Sequence, residues 1–150
     1  MRRSTSGHLA RYPLMMVTSQ HPSPAAGAPR VPTVLVVDDE AMVRAPIAEY
    51  LRDCGYHVLE ADDARQAMSL VETPGQVDLV FSDVRMPGEL DGAGLAHWIR
   101  SHHPEVPVLL TSGYSAASSH LPREVGLIEK PYTQGQVLRR IQALLPPGGR

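Results

Sequence analysis

Five short apolar runs alternate with segments of helical periodicity between residues 33 and 145, and this alternation limits the possible folds more than any other feature of the chain. The first run, Thr33-Val34-Leu35-Val36-Val37, is rich in β-branched residues and apolar at successive positions. Such a run suits a strand covered on both faces, as in the middle of a parallel sheet. His57-Val58-Leu59-Glu60 is weaker and reads as an edge strand, and Val77 to Phe81, Val106 to Leu110 and Val125 to Ile128 supply three more. Between them, Val43, Ile47, Tyr50/Leu51 and Cys54 form one helical stripe, with Cys54 read as a small core residue. Ala64, Ala67/Met68 and Val71 form a second stripe, and Leu95 with Trp98/Ile99 a third.

The punctuation agrees with these runs. Gly55 stands where a helix C-terminus needs a glycine, and Asp62 or Asp63 and then Asp91 stand where helices need an N-cap. Thr133 and Gln136 have capping-box spacing, with Tyr132 and Val137 at staple positions and Val137, Leu138, Ile141 and Leu144/Leu145 facing inward. Pro46 is the exception, since a proline inside a helix costs about 3 kcal/mol. It is expected in the early turns of its helix, with a local kink. Strands alternating with helices imply an α/β fold of the flavodoxin-like kind: a doubly wound five-stranded parallel sheet, with right-handed crossovers and helices on both faces. The helix between the fourth and fifth strands is expected to be short or irregular, because Ser115-Ala116-Ala117-Ser118-Ser119 makes a poor core face.

In that architecture ligands sit at the C-terminal ends of the strands. Asp38-Asp39 follows the first run, Asp83 the third, Ser112 the fourth and Lys130 the fifth, so topology brings them to one edge. Each alone has a plainer reading, as a helix cap or a loop residue. Together they are three carboxylates that repel one another unless something positive sits among them. A hard divalent cation such as Mg2+, oxygen-coordinated and keeping some of its waters, suits the set. Lys130 offers a compact charge for a carboxylate or a phosphoryl oxygen, and Ser112 a hydroxyl donor. Asp83 is then a nucleophile toward phosphorus.

Net charge is −2, but residues 1–30 carry Arg2, Arg3, Arg11 and Arg30 and no acid, which leaves −6 for the rest. An acidic globular part argues against nucleic-acid binding. No apolar run nears the ~20 residues that span a bilayer. A single cysteine excludes an internal disulfide framework and suits a reducing, cytoplasmic setting. Residues 1–32, with five prolines and no periodicity, are expected to be a disordered basic tail. Residues 33–145 are expected to form one domain and 146–150 a short C-terminal tail.

The motifs Val36-Val37-Asp38-Asp39-Glu40, Ser82-Asp83-Val84-Arg85-Met86-Pro87-Gly88, Leu110-Thr111-Ser112-Gly113-Tyr114 and Glu129-Lys130-Pro131-Tyr132 together resemble the receiver domain of bacterial two-component response regulators, from about Thr33 to Leu145. The resemblance implies that Asp83 accepts a phosphoryl group from a phosphohistidine, on a sensor histidine kinase or a histidine phosphotransfer protein. It implies direct Mg2+ ligation by Asp39, Asp83 and the Arg85 backbone carbonyl, with Asp38 acting largely through water. Ser112 and Lys130 would hold the phosphoryl group, and a cis Lys130-Pro131 peptide is expected. Where the family carries an aromatic switch residue, three positions before the lysine, this chain has Leu127. The interval from Ser112 to Lys130 is also a few residues shorter than the family's, which bears on the output surface. Arg85 and Tyr114 flank the acceptor, where such residues tune access of water.

The resulting expectation is a stand-alone receiver: a switch rather than a turnover enzyme, taking part in its own phosphorylation and dephosphorylation, with protein partners as its output. The alternatives are a phosphate-independent docking module and an aspartyl-nucleophile phosphatase. The second wants an Asp-x-Asp pair, which Asp83-Val84-Arg85 does not provide. His97, His102 and His103 are read as surface histidines, and Gly92-Ala93-Gly94 lacks the third glycine of a dinucleotide loop.

Overall fold

The computed structural model describes residues 30–113 and 120–145. Its elements follow in the order β1 (Thr33–Val37), α1 (Ala41–Asp53), β2 (His57–Ala61), α2 (Ala64–Glu72), β3 (Leu79–Asp83), α3 (Gly92–His102), β4 (Val108–Ser112), β5 (Gly126–Glu129) and α4 (Gln134–Leu144). The strands form one parallel sheet in the order β2-β1-β3-β4-β5. Strand order reverses between β1 and β3, which opens a crevice at their C-terminal ends. Asp38 leaves β1 and Asp83 ends β3 at that point.

Because side chains alternate along a strand, β1 feeds two cores. Leu35 and Val37 join Ala64, Ala67 and Val71 of α2 and Leu95 and Ile99 of α3 on one face. Val34 and Val36 join Ile47 and Leu51 of α1 and Val137 and Ile141 of α4 on the other. The caps form as the spacing requires. Asp63 accepts from the Gln66 N–H, Asp91 from Gly94 and Thr133 from Gln136, whose side chain bonds back to the Thr133 N–H. Gly55 (φ +99°) and Gly88 (φ +112°) supply the left-handed turns after α1 and after Met86-Pro87.

Cys54 is a correction. It takes the C-cap position of α1 and is exposed, because Tyr50 and Tyr56 fill the core at that end. Val43, at the opposite end of the same stripe, is 38% exposed, so only the middle turns of α1 are buried. Pro46 lies in the second turn, and the helix runs unbroken through it to Asp53. Strands β3 and β4 start two residues later than the apolar runs suggest. Val77 and Val106 are buried but precede the ladder, and Pro107 has no N–H to offer. The expected short or irregular helix between β4 and β5 falls largely on residues 114–119, outside the described residues. Leu121 and Val125, just beyond, pack onto the α2/α3 core, and the fourth helix present is α4. The expected tails at 1–29 and 146–150 also lie outside the described residues. Arg30, from the stretch read as tail, donates to the Gly75 carbonyl (2.7 Å) and pairs with Asp78 (3.1 Å). Among the described residues no helix is long and apolar enough to cross a membrane.

Candidate functional site

Four strand ends build the site. Asp83 closes β3 opposite Thr111 of β4, and Ser112 closes β4 opposite Glu129 of β5. The Lys130 N–H then donates to the Ser112 carbonyl at 2.9 Å, which extends the β4–β5 ladder by one rung and brings the lysine to the edge. Its Nζ donates to Asp83 Oδ2 at 2.7 Å, while Asp83 Oδ1 accepts the Arg85 backbone N–H at 3.1 Å. Lys130-Pro131 is cis, as expected. Behind it, Tyr132 packs edge-on against Phe81, with ring centroids 6.1 Å apart.

Asp38 is buried, with its Oδ1 accepting the Glu40 N–H at 2.9 Å, whereas Asp39 is exposed at the mouth. Burial pushes the Asp38 carboxyl above its ordinary range; the Glu40 bond opposes this, Asp83 and Asp39 add to it, and Lys130 opposes it again. The folded state thus holds the Asp38 proton to a higher pH than the unfolded chain does. Stability accordingly falls as pH rises from the ordinary carboxylate range through the raised value, and at neutral pH the ionised Asp38 is a cost. Asp38→Asn is therefore expected to raise the melting temperature at pH 7, without divalent ions, by about 5 °C. The gain should shrink as pH falls through the raised value. Equal melting curves for the two proteins at pH 7 would contradict this reading.

Burial pulls the Lys130 ammonium down, but its hydrogen bond to Asp83 and the charges of Asp83, Asp38 and Tyr132 outweigh burial and hold it above the ordinary lysine value. The Tyr132 phenol is raised, by burial first; Lys130 opposes that and Asp38 and Asp83 add to it. Tyr132 is thus both a staple residue and a wall of the acidic pocket, a second role that its helix-start spacing does not reveal.

Asp38, Asp83, Ser112 and Lys130 converge as topology requires. The carboxylates do not form a closed metal cage: among the described residues no group of three His, Cys, Asp or Glu side chains could hold an ion unaided. Mg2+ commonly takes one or two carboxylates and keeps waters, so the all-oxygen, mutually repelling donors here remain a chemical fit for it. The histidines are separately engaged: His97 with the His120 carbonyl, His102 with the Trp98 carbonyl and ring, and His103 with Glu105. One contact is invisible in the sequence. Arg44 of α1 donates through Nη1 to the Asp38 carbonyl at 2.6 Å.

Fold and site together define a doubly wound α/β domain with an acidic pocket, closed by a lysine, at its switch point. The chain belongs to the response regulator receiver domain family, whose model matches residues 34–142. It is 36% identical over 118 residues to the sensor kinase CckA of Brucella abortus, covering 75% of this chain and 12% of that protein. The chain spans about half or less of the length of the curated relatives it matches. A receiver protein structure from Sinorhizobium medicae superposes with a TM-score of 0.71 at 26% identity, over 77% of this chain and 94% of that one. The response regulator TrrA of Thermotoga maritima, solved in complex with Mg2+-BeF, superposes with a TM-score of 0.67 at 27% identity, over 77% of this chain and all of that one.

Proposed function

We propose that this domain is a phosphorylation switch in which Asp83 takes a phosphoryl group from the phosphohistidine of a sensor histidine kinase or a histidine phosphotransfer protein. The observation that carries this reading is the 2.7 Å contact of Lys130 Nζ with Asp83 Oδ2 at the sheet's switch point, beside buried Asp38 and Ser112. Family membership supports it, since receiver domains receive phosphate from histidine kinases.

An Asp83 carboxylate oxygen attacks phosphorus, and the phosphorus–nitrogen bond to the donor imidazole breaks as the new acyl phosphate forms. Lys130 shifts its bond from the carboxylate to a phosphoryl oxygen, so one cation serves both states. Ser112, at the end of β4, donates its hydroxyl to a second phosphoryl oxygen. Asp38, Asp39, Asp83 and the Arg85 carbonyl would hold Mg2+, which supplies charge neutralisation for the transferring group. The domain takes part in its own phosphorylation and dephosphorylation without turning over a separate substrate. Its output is a protein contact altered by the phosphoryl group, in a cytoplasmic relay, with Leu127 standing at the position where relatives carry an aromatic switch.

The test is intact mass after incubation with Mg2+ and a small phosphodonor. Wild-type protein should gain one phosphoryl group, and Asp83→Asn none. Absence of any gain in the wild type would leave a phosphate-independent docking module as the reading. Steady hydrolysis of a generic phosphomonoester would instead indicate a phosphatase.

A further inference from the structure

We infer that Arg44 is a positioning residue for the acid pair, orienting the Asp38–Asp39 peptide so that both carboxylates present to a divalent cation; this rests on the phosphorylation-switch reading above. The carbonyl that Arg44 Nη1 meets at 2.6 Å belongs to the peptide joining Asp38 to Asp39, so the contact fixes the plane from which Asp39 departs. The preceding peptide is held as well, because the Asp38 N–H donates to the Ala61 carbonyl at 3.1 Å. With Glu40 N–H on Asp38 Oδ1, the acid pair is secured on three sides, and Arg44 is the one side-chain member of that set.

The fork of the guanidinium matters. While Nη1 holds the carbonyl, Nε pairs with Glu60 of β2 at 3.2 Å, and the Arg44 side chain is 17% exposed. Glu60 gives Oε1 to Arg44 and its other oxygen, Oε2, to the more exposed Arg52, two turns further along α1, so the two pairs use separate atoms. The pairing offsets the arginine's charge, so it grips the backbone without competing for the Asp38 carboxylate, on which the charges acting are those of Asp83, Asp39 and Lys130. A lysine cannot reproduce this, since a single ammonium has no rigid fork to span carbonyl and carboxylate. The Glu40 side chain makes no cap for helix α1, so the start of the helix meets the acid loop through the Glu40 N–H on Asp38 Oδ1 and, one turn on, through Arg44.

Mg2+ affinity of the full chain, measured by titration calorimetry below the melting temperature, tests this without any phosphodonor. Residues that orient metal ligands typically set affinity by 10–100-fold, so Arg44→Met should weaken Mg2+ binding by about tenfold or more. Arg44→Lys should recover part of the loss. Arg52→Met, which leaves both Arg44 bonds in place, should bind as the wild type does. An Arg44→Met protein with wild-type Mg2+ affinity and only a lower melting temperature would reduce Arg44 to a strut of the fold and overturn the inference alone. Equal weakening by Arg52→Met would overturn it too, as a general effect of loosening α1. A wild-type chain that binds no Mg2+ would overturn the phosphorylation-switch reading itself.

Discussion

Adding one methyl group at Gly92 is expected to cost the domain about 3 kcal/mol, at the upper end for overpacking. For a domain of this size that lowers the melting temperature by roughly 10–20 °C. Gly92 is the first residue of α3, and its N–H donates to the Val84 carbonyl at 2.9 Å. A Cβ there would run into the Asp83 carbonyl oxygen and lie 2.8 Å from the Asp83 carbonyl carbon and 2.9 Å from Val84 Cα. All three atoms are backbone, at the end of β3, and none can rotate away. Either α3 lifts off the sheet or the end of β3 moves, and both displace Asp83.

Gly94, two residues on, provides the internal control. Its added methyl would meet the Leu90 side chain, with Cγ at 3.1 Å, and a leucine end group can turn aside. Gly94→Ala should therefore cost about 1 kcal/mol or less, in line with small rearrangements of a partly buried side chain. Thermal melts of the two variants would decide the point. Equal destabilisation would mean that the close approach of α3 to the end of β3 is not what the glycine serves.

Lys130→Met is expected to split two properties that a loss of folding would lower together. The rate of phosphoryl gain from a small phosphodonor should fall about a hundredfold, the usual scale for removing one donor to a developing oxyanion. Mg2+ affinity should instead rise several-fold, since a unit positive charge a few ångströms from a divalent ion repels it by on the order of 1 kcal/mol even in a water-like medium. The rate effect should be flat from about pH 6 to 9, because lysines titrate higher and the Asp83 and Asp38 charges hold this one above the ordinary value despite burial. By the same sign, any stability from the Lys130–Asp83 pair is present below the unfolded lysine value and is lost only as pH rises through the folded one. A variant that lost Mg2+ binding and phosphoryl gain in parallel would mean that Lys130 is structural.

Much of this could be read from residues alone, and the exceptions share a physical cause. The central strands β1, β3 and β4 announce themselves because a sheet covered on both faces demands unbroken apolar runs, as in Val34 to Val37, whereas the rim strands β2 and β5 carry weaker signals. The caps at Asp63, Asp91 and Thr133 are legible because capping is a local affair of three residues. Asp38, Asp83, Ser112 and Lys130 could be gathered because parallel topology puts every strand end on one edge. Contacts that depend on where an element sits, rather than on what it is, stayed hidden. Cys54 keeps the helical period of a core stripe, yet two tyrosines occupy the core there. Arg44 reaches back six residues to the Asp38 carbonyl while Glu60, distant in sequence on β2, takes its other side. Gly-Ala-Gly spacing carries no sign that one of its glycines rests on the Asp83 carbonyl at the end of β3.

The placement of Lys130 has one more consequence. The cation that quiets Asp83 is carried by β5, a four-residue strand at the rim of the sheet with a single buried position, whereas the acids leave strands nearer its centre. Rim strands fray before central ones. Warming or mild denaturant should thus strip the counter-charge from the pocket while the central strands β1, β3 and β4 remain paired, and the domain would go chemically silent before it unfolds.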